Sequence, residues 1–110
     1  MGRQGKDVLQ GTLEMLVLRA LVPGPLHGYG IVKRIEEVSD EALRVEEGSL
    51  YPALHRLEQD GWIRAEWQAS ETGRRARFYS LTAAGKKRLA DEQESWRRLT
   101  RAVERVLRFA

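Results

Sequence analysis

Apolar residues recur at helical spacing in three segments of the first half of the chain, and this pattern predicts three α-helices. The first segment, residues 8–21, has a broad apolar face and ends before Pro23. The second segment, residues 28–38, mixes apolar and charged positions, with Lys33 directed outward. An acidic connection, residues 36–47, leads to the third segment. The three helices therefore have the order and spacing of a helix-turn-helix core.

The third segment carries a stripe of leucines, Leu50, Leu54 and Leu57, at positions i, i+4 and i+7. With these leucines buried, the side chains predicted to point away from the core are those of Tyr51, His55 and Arg56. A phenol, an imidazole and a guanidinium on one exposed face are suited to phosphate oxygens and base edges in a major groove. An ordinary amphipathic helix with a solvated outer face is the alternative explanation.

The ends of this third helix are predicted from three residues. Ser49 is the predicted N-cap, and the N–H groups of that helix start would lie near a phosphate. Pro52 is predicted in the first turn, where its missing N–H needs no partner. Gly61 is predicted to end the helix in a left-handed conformation. Ser49, Pro52 and Lys33 join the candidate DNA-contacting residues.

The chain changes to a two-residue alternation of apolar and polar positions between Ile63 and Leu81. The turn cluster Ser70-Glu71-Thr72-Gly73 divides this stretch, so the sequence predicts a β-hairpin. The arginines just past its tip are Arg74, Arg75 and Arg77. Because strand side chains project to both faces, these arginines can straddle a groove and bind phosphate. Solvated arginines are common, but next to a three-helix core the hairpin is predicted to be the wing of a winged helix.

Thr82 is the predicted N-cap of a last helix of roughly 25 residues, which would be about 38 Å long. Apolar side chains recur along it in a heptad pattern interrupted by Glu92. The seam residues are Leu89, Trp96, Leu99, Val103 and Val106. Because no earlier segment is left to cover this seam along its length, it predicts a two-fold homodimer.

Charge is distributed unevenly along the chain. Residues 1–73 hold 8 Lys/Arg and 12 Asp/Glu, whereas residues 74–110 hold 11 Lys/Arg and 4 Asp/Glu. A basic C-terminal third suits a polyanion, although a solvated cationic helix gives the same pattern. The absence of cysteine excludes disulfides and thiolate metal sites. With no signal peptide and no apolar run of about 20 residues, the sequence predicts a cytoplasmic protein without a membrane partner.

These patterns predict a mainly α fold with a small β-hairpin. Residues 1–81 are predicted to form a winged-helix DNA-binding domain, and residues 82–110 a C-terminal dimerisation helix. The sequence also resembles the PadR family of bacterial transcriptional regulators. The resemblance rests on Gly11-Thr12-Leu13, Leu26-His27-Gly28-Tyr29-Gly30-Ile31, Gly48-Ser49-Leu50-Tyr51-Pro52-Ala53-Leu54, Arg56-Leu57-Glu58, Gly61-Trp62-Ile63 and Tyr79-Ser80-Leu81-Thr82-Ala83-Ala84-Gly85. The single C-terminal helix is similar to that of the short-tailed branch of the family.

The resemblance implies a dimeric repressor that binds double-stranded DNA and releases its operator when a small molecule binds. No cofactor is predicted. Family members with a tryptophan on the C-terminal helix can stack planar aromatic compounds between the protomers, and Trp96 is at a matching place. Glu92, one turn earlier, would pair with a cationic ligand. Simple packing of Trp96 in the seam is the alternative.

Two other classes of function are alternatives to DNA binding. An enzyme is disfavoured because His27 and His55 have no carboxylate or nucleophile at a spacing that would couple to them. No phosphate-binding glycine loop or metal-ligand cluster is present in the sequence either. A winged helix used only for protein–protein contact is the stronger alternative, since an acidic segment and a sheet edge can both bind partners.

Overall fold

The computed structural model describes residues 6–7 and 10–110, with side chains from residue 11 onward. The elements in chain order are β1 (Lys6–Asp7), α1 (Gln10–Ala20), β2 (Leu26–His27), α2 (Gly28–Val38), β3 (Leu43–Arg44), α3 (Glu47–Gln59), β4 (Ile63–Ala69), β5 (Arg75–Leu81) and α4 (Ala83–Arg108). The predicted start of the first helix, with Val8 and Leu9, lies outside the described residues. No helix in the described part of the chain is long and apolar enough to span a membrane.

The helices α1, α2 and α3 enclose one apolar core, as the helical periodicity predicts. Leu13, Ile31 and Leu50 are each no more than 1% exposed, and the other two leucines of the α3 stripe are equally buried. Burial of these side chains is the main favourable contribution to folding. The predicted class, mainly α with a winged helix-turn-helix and a long C-terminal helix, is confirmed.

The start of α3 differs from the prediction. The helix begins at Glu47, and its N-cap is Glu46, whose side chain makes no capping hydrogen bond. Ser49 is therefore inside the helix, and its N–H donates to the Glu46 carbonyl at 3.0 Å, so the prediction of Ser49 as N-cap is wrong. Pro52 is the sixth helical residue and lies beyond the first turn. At the other end Gly61 has φ of +79°, which confirms the predicted left-handed termination.

The predicted hairpin is confirmed, with β4 and β5 antiparallel and Trp67 opposite Arg77. Its turn is closed by a hydrogen bond from Ser70 N–H to the Arg74 carbonyl at 2.7 Å, and Gly73 takes φ of +86°. The structure adds β2, which pairs with β5 and gives the sheet order β2-β5-β4. Two residues are too few to show a strand periodicity in the sequence.

The acidic connection between α2 and α3 is ordered by its own polar side chains. Ser39 Oγ donates to the Glu36 carbonyl at 3.1 Å and accepts from Leu43 N–H at 3.2 Å. Asp40 and Glu41 both have positive φ, 56° and 65°, which is unfavourable for residues with a Cβ. The strand β3 at the end of this turn pairs in parallel with β1.

The junction between the wing and α4 is a single residue, Thr82. Its Oγ1 accepts from Gly85 N–H at 3.0 Å, which confirms the predicted N-cap, and donates to the Gly61 carbonyl at 2.8 Å. Gly85 lies so close to the Trp62 carbonyl that a Cβ at this position would overlap it. These contacts hold the start of α4 against Gly61 and Trp62, the residues that follow α3.

Candidate nucleic-acid interface

A cleft of about 620 Å³ lies between the start of α2, the outer face of α3 and the wing. Tyr51 and His55 of α3 line one side, and Arg74, Arg75 and Arg77 of the wing line the other. The helix supplies the Tyr51 phenol, the His55 imidazole and the Glu58 carboxylate, and the wing supplies guanidinium groups. This arrangement can contact a base edge and the flanking phosphates of one strand at the same time.

Tyr51 and His55 lie one turn apart on the exposed face of α3, as the leucine stripe predicts. Tyr51 is half exposed, and its phenol lies against Gly28 at the start of α2. The absence of a Cβ at Gly28 leaves room for the Tyr51 ring, because a Cβ there would stand 2.6 Å from Tyr51 Oη. Gly28 therefore sets the direction in which the Tyr51 hydroxyl is presented.

Arg56 is not on the same side of α3 as these two residues. Its Nε donates to Glu14 Oε2 of α1 at 2.8 Å, and the side chain does not line the cleft. The predicted common face of Tyr51, His55 and Arg56 is therefore wrong, because Arg56 is turned about 140° from Tyr51 around the helix axis. In the described structure Arg56 ties α3 to α1.

The three wing arginines have different surroundings. Arg77 Nη2 donates to Glu58 Oε2 of α3 at 2.9 Å and so connects the wing to the helix. Arg75 lies over the Trp67 ring, with Cζ 5.9 Å from its centroid. Arg74 is exposed at the turn and has no ion pair with any described residue. Arg74 and Arg75 are thus the wing arginines at the cleft that have no ion pair with a described residue.

The other predicted contacts lie around the cleft without lining it. Ser49 and Pro52 are exposed on the first half of α3. Lys33 is exposed on α2, with its Nζ 3.7 Å from Glu37 Oε2 and 5.8 Å from the centroid of the Tyr29 ring. Two carboxylates, Glu46 and Glu47, stand at the start of α3, where phosphate would meet negative charge.

Four aromatic residues of the cleft are absent from the sequence-based site, namely His27, Tyr29, Trp67 and Tyr79. His27 caps α2, with Nδ1 accepting from Gly30 N–H at 3.0 Å, and its ring meets Phe78 edge-on at 5.2 Å between centroids. Tyr29 and Trp67 are exposed beside it. Trp67 is one of the apolar positions in the alternation along β4, and it is 59% exposed.

Tyr79 forms the inner wall of the cleft, and the pKa of its phenol is shifted from its ordinary value. Burial raises the pKa of the Tyr79 phenol, and the nearby Arg77 guanidinium acts in the opposite direction. The phenol is therefore neutral at physiological pH and can donate a hydrogen bond. Among the described residues, no cluster of three His, Asp or Glu side chains could hold a metal ion.

The exposed apolar surface of α4 begins at Trp96, two turns later than the predicted start at Leu89. Leu89 is only 5% exposed because it packs into the core of its own chain, so it has little surface left for a partner. Trp96, Leu99, Val103 and Val106 are between 44% and 72% exposed. These four residues, called the α4 seam below, lie on one face of the helix at alternating spacings of three and four.

Trp96 borders a shallow depression of about 270 Å³ between α4 and the first turns of α1. Glu92 and Leu99 also line it, together with Thr12 and Met15 of α1. Glu92 Oε2 is paired with Arg88 Nη2 at 2.6 Å. The pairing partly neutralises the Glu92 carboxylate, which is the predicted partner of a cationic ligand.

Comparison with known proteins decides the family. Residues 17–91 match the family described as "Transcriptional regulator PadR-like family". The chain belongs to the PadR-like family. It is therefore related to transcriptional regulators rather than to enzymes, as predicted.

Two proteins of similar sequence extend this result. The chain is 31% identical over 98 residues to Transcriptional regulator Rv3488 of Mycobacterium tuberculosis, covering 89% of this chain and 88% of that protein. It is 47% identical over 90 residues to an uncharacterised 37.1 kDa protein of a Streptomyces fradiae transposon, covering 82% of this chain but only 24% of that protein.

Two solved structures have the same fold as this PadR-like chain. A transcriptional regulator from Clostridium thermocellum superimposes with a TM-score of 0.79 at 30% identity, covering 87% of this chain and 90% of that one. A PadR-like transcriptional regulator from Bacillus cereus gives a TM-score of 0.78 at 26% identity, covering 93% and 97%.

Proposed function

We propose that this PadR-like chain is a dimeric, sequence-specific DNA-binding repressor. The observation that carries the proposal is the cleft in which Tyr51 and His55 of α3 face Arg74 and Arg75 of the wing. A recognition helix supplies base contacts in a major groove, and wing cations supply phosphate contacts beside it. In a two-fold dimer the two copies of α3 would enter major grooves roughly 34–36 Å apart, so the operator would be an inverted repeat.

Selection from a random duplex pool, followed by titration of the selected and a scrambled duplex, tests this proposal. Tyr51→Phe and His55→Ala are expected to lower the preference for the selected duplex by about 1–3 kcal/mol where a base contact is lost. Arg74→Ala and Arg75→Ala are expected to lower the affinity for both duplexes by the same factor. Recovery of only asymmetric sites, or equal effects of the two pairs of variants, would contradict the proposal.

A protein–protein interaction module without DNA binding is the second candidate. It is favoured by the edge position of β4, whose outer backbone groups pair with no other described strand, and by Glu46 and Glu47 at the start of α3. Filter binding to random duplex at low salt separates the two functions. A DNA-binding protein retains the duplex and loses it as salt rises, whereas an interaction module does not retain it.

Release of the operator by a small molecule is the third part of the proposal. The depression beside Trp96 would take a planar aromatic ligand between two α4 helices, because an indole face attracts flat rings and cations. A ligand changes DNA affinity only if it binds the free and DNA-bound dimers differently. Titration of a planar cationic dye against the protein and Trp96→Ala tests the site. Equal dye affinity for both would reject it.

A further inference from the structure

A second cleft, of about 310 Å³, lies between α1, the C-terminal half of α2 and β3. It is at the opposite end of α2 from Tyr29 and shares no residue with the cleft between α3 and the wing. Its apolar walls include Leu16, Ala20, Ile35, Val38 and Leu43. Val38 is 78% exposed at the mouth, so the cleft is open to solvent. Its size falls in the lower range of small-molecule sites.

Cationic groups at this cleft indicate the charge of its ligand. Arg19 and Arg34 both line it, and no aspartate or glutamate is among its lining residues. Arg34 Nη1 donates to the Ala20 carbonyl at 3.3 Å, which holds the guanidinium at the wall. No ion pair between described residues involves either arginine. Guanidinium groups beside apolar walls match a ligand with a carboxylate and an apolar body.

The cleft also borders the turn that leads to the recognition helix. Ser39 lines the cleft and holds the turn through its hydrogen bonds to Glu36 and Leu43. The two residues with positive φ, Asp40 and Glu41, follow directly. A strained turn next to a cavity responds to small displacements, and this one leads through β3 directly to α3, which begins at Glu47. A ligand in the cleft would therefore touch the segment that positions α3.

We propose that this cleft binds a medium-chain fatty-acid anion, with its carboxylate at Arg19 and Arg34 and its chain along Ile35 and Val38. Occupancy shifts the turn at residues 39–45 and thereby α3. This effector site is separate from the depression beside Trp96. The effect on DNA affinity rests on the proposed function, whereas ligand binding itself does not.

Isothermal titration calorimetry with octanoate, octylammonium and 1-octanol tests the binding. Saturable binding of one octanoate per chain is expected, with octylammonium about tenfold weaker or more, because only the anion pairs with the guanidinium groups. The double variant Arg19→Gln with Arg34→Gln is expected to lose about tenfold in octanoate affinity and to keep its affinity for 1-octanol. Arg64→Gln, an exposed arginine outside the cleft, is the matched control and is expected to bind octanoate normally.

Three results would contradict the proposed site. The first is the absence of saturable octanoate binding, and the second is equal affinity for the three probes. The third is an equal loss of octanoate affinity in Arg64→Gln and in the double variant. Val38→Glu is expected to abolish octanoate binding without unfolding the chain, since Val38 is largely exposed. If Val38→Glu instead splits an oligomer in sedimentation, the cleft is an interface between copies and the proposal fails. Unchanged affinity for the selected duplex at saturating octanoate would reject the coupling to α3, while the calorimetry would still report on the site.

Discussion

The Tyr51 phenol lies directly against Gly28, so that a Cβ on residue 28 would stand 2.6 Å from Tyr51 Oη. The two residues belong to α3 and to the start of α2, and both line the cleft between α3 and the wing. The position of the Tyr51 hydroxyl, a candidate base contact on α3, thus depends on the absence of a side chain at Gly28 of the preceding helix.

Gly28→Ala is expected to displace the Tyr51 side chain and weaken binding to the selected duplex, by about 1–3 kcal/mol if a base contact is lost. The measurement is a double-mutant cycle with Tyr51→Ala in a fluorescence-anisotropy titration. In the Tyr51→Ala background the Gly28→Ala substitution is expected to have almost no further effect. Additive effects of the two substitutions would show that Gly28 does not act through Tyr51.

Leu99→Asp together with Val103→Asp is expected to split the proposed dimer, because two carboxylates would be buried in the α4 seam without partners. The control is Arg101→Asp with Arg108→Asp, which places two carboxylates on the opposite face of α4. Sedimentation at micromolar concentration is expected to show monomers for the seam variant and dimers for the control. A seam variant that remains dimeric would locate the interface elsewhere.

Arg77 and Glu58 are expected to act as a pair in DNA binding. Arg77→Ala leaves the Glu58 carboxylate unpaired at the cleft, where it would repel phosphate, so binding weakens to all sequences. Glu58→Gln in the same chain is expected to restore much of that loss. In contrast, Arg74→Ala is expected to flatten the log–log salt dependence by about 0.9 for one phosphate contact. A failure of Glu58→Gln to restore binding would mean that Arg77 itself contacts DNA.

Gly85→Ala is expected to lower the free energy of unfolding by about 1–3 kcal/mol, because a Cβ would overlap the Trp62 carbonyl. Alanine is intrinsically the better helix former, so Gly48→Ala in α3 is the matched control. A Cβ at Gly48 meets open space, and this variant is expected to be unchanged or slightly more stable. Urea denaturation followed by circular dichroism compares the two. Equal stability of the two variants would contradict a tight α4 junction.

The raised pKa of Tyr79 predicts how stability changes at alkaline pH. Its contribution is fully present below the unfolded-state pKa of about 10. Above that pH the unfolded chain loses the proton first, so stability falls by at most about 1.4 kcal/mol per pH unit until the folded pKa is passed. Tyr79→Phe is expected to reduce this slope in denaturation experiments, whereas Tyr29→Phe, an exposed control, is not. An unchanged slope in Tyr79→Phe would contradict the prediction.

Much of the fold could be predicted because its elements have strong periodic patterns. The leucine stripe of α3, the hairpin between Ile63 and Leu81, and the Thr82 cap all follow from local sequence. The short strands β2 and β3 could not be predicted, because their pairing depends on residues far away in the chain. The start of α3 was misplaced because Ser49 is a good N-cap residue that tertiary packing places inside the helix.

The candidate site was predicted less completely than the fold. A leucine stripe shows which side of α3 is buried, but the remaining arc is wide enough to include both Tyr51 and Arg56, which face different neighbours. The ion pairs of Arg56 with Glu14 and of Arg77 with Glu58 join distant parts of the chain, so no local pattern indicates them. Leu89 follows the heptad pattern of the seam but packs into the core of its own chain. The domain boundary at residue 82 and the contacting residues remain predictions.

One residue separates the wing from α4, and Thr82 is held at both its hydroxyl and its N–H. A dimer joined through α4 would therefore have no flexible linker between the wing and α4, and the separation of its two recognition helices would be fixed. Insertion of about five base pairs between the half-sites, roughly half a turn of duplex, would turn one half-site to the far side of the DNA. Such an operator would be bound by only one protomer, and the protein would discriminate between promoters by spacing as well as by sequence.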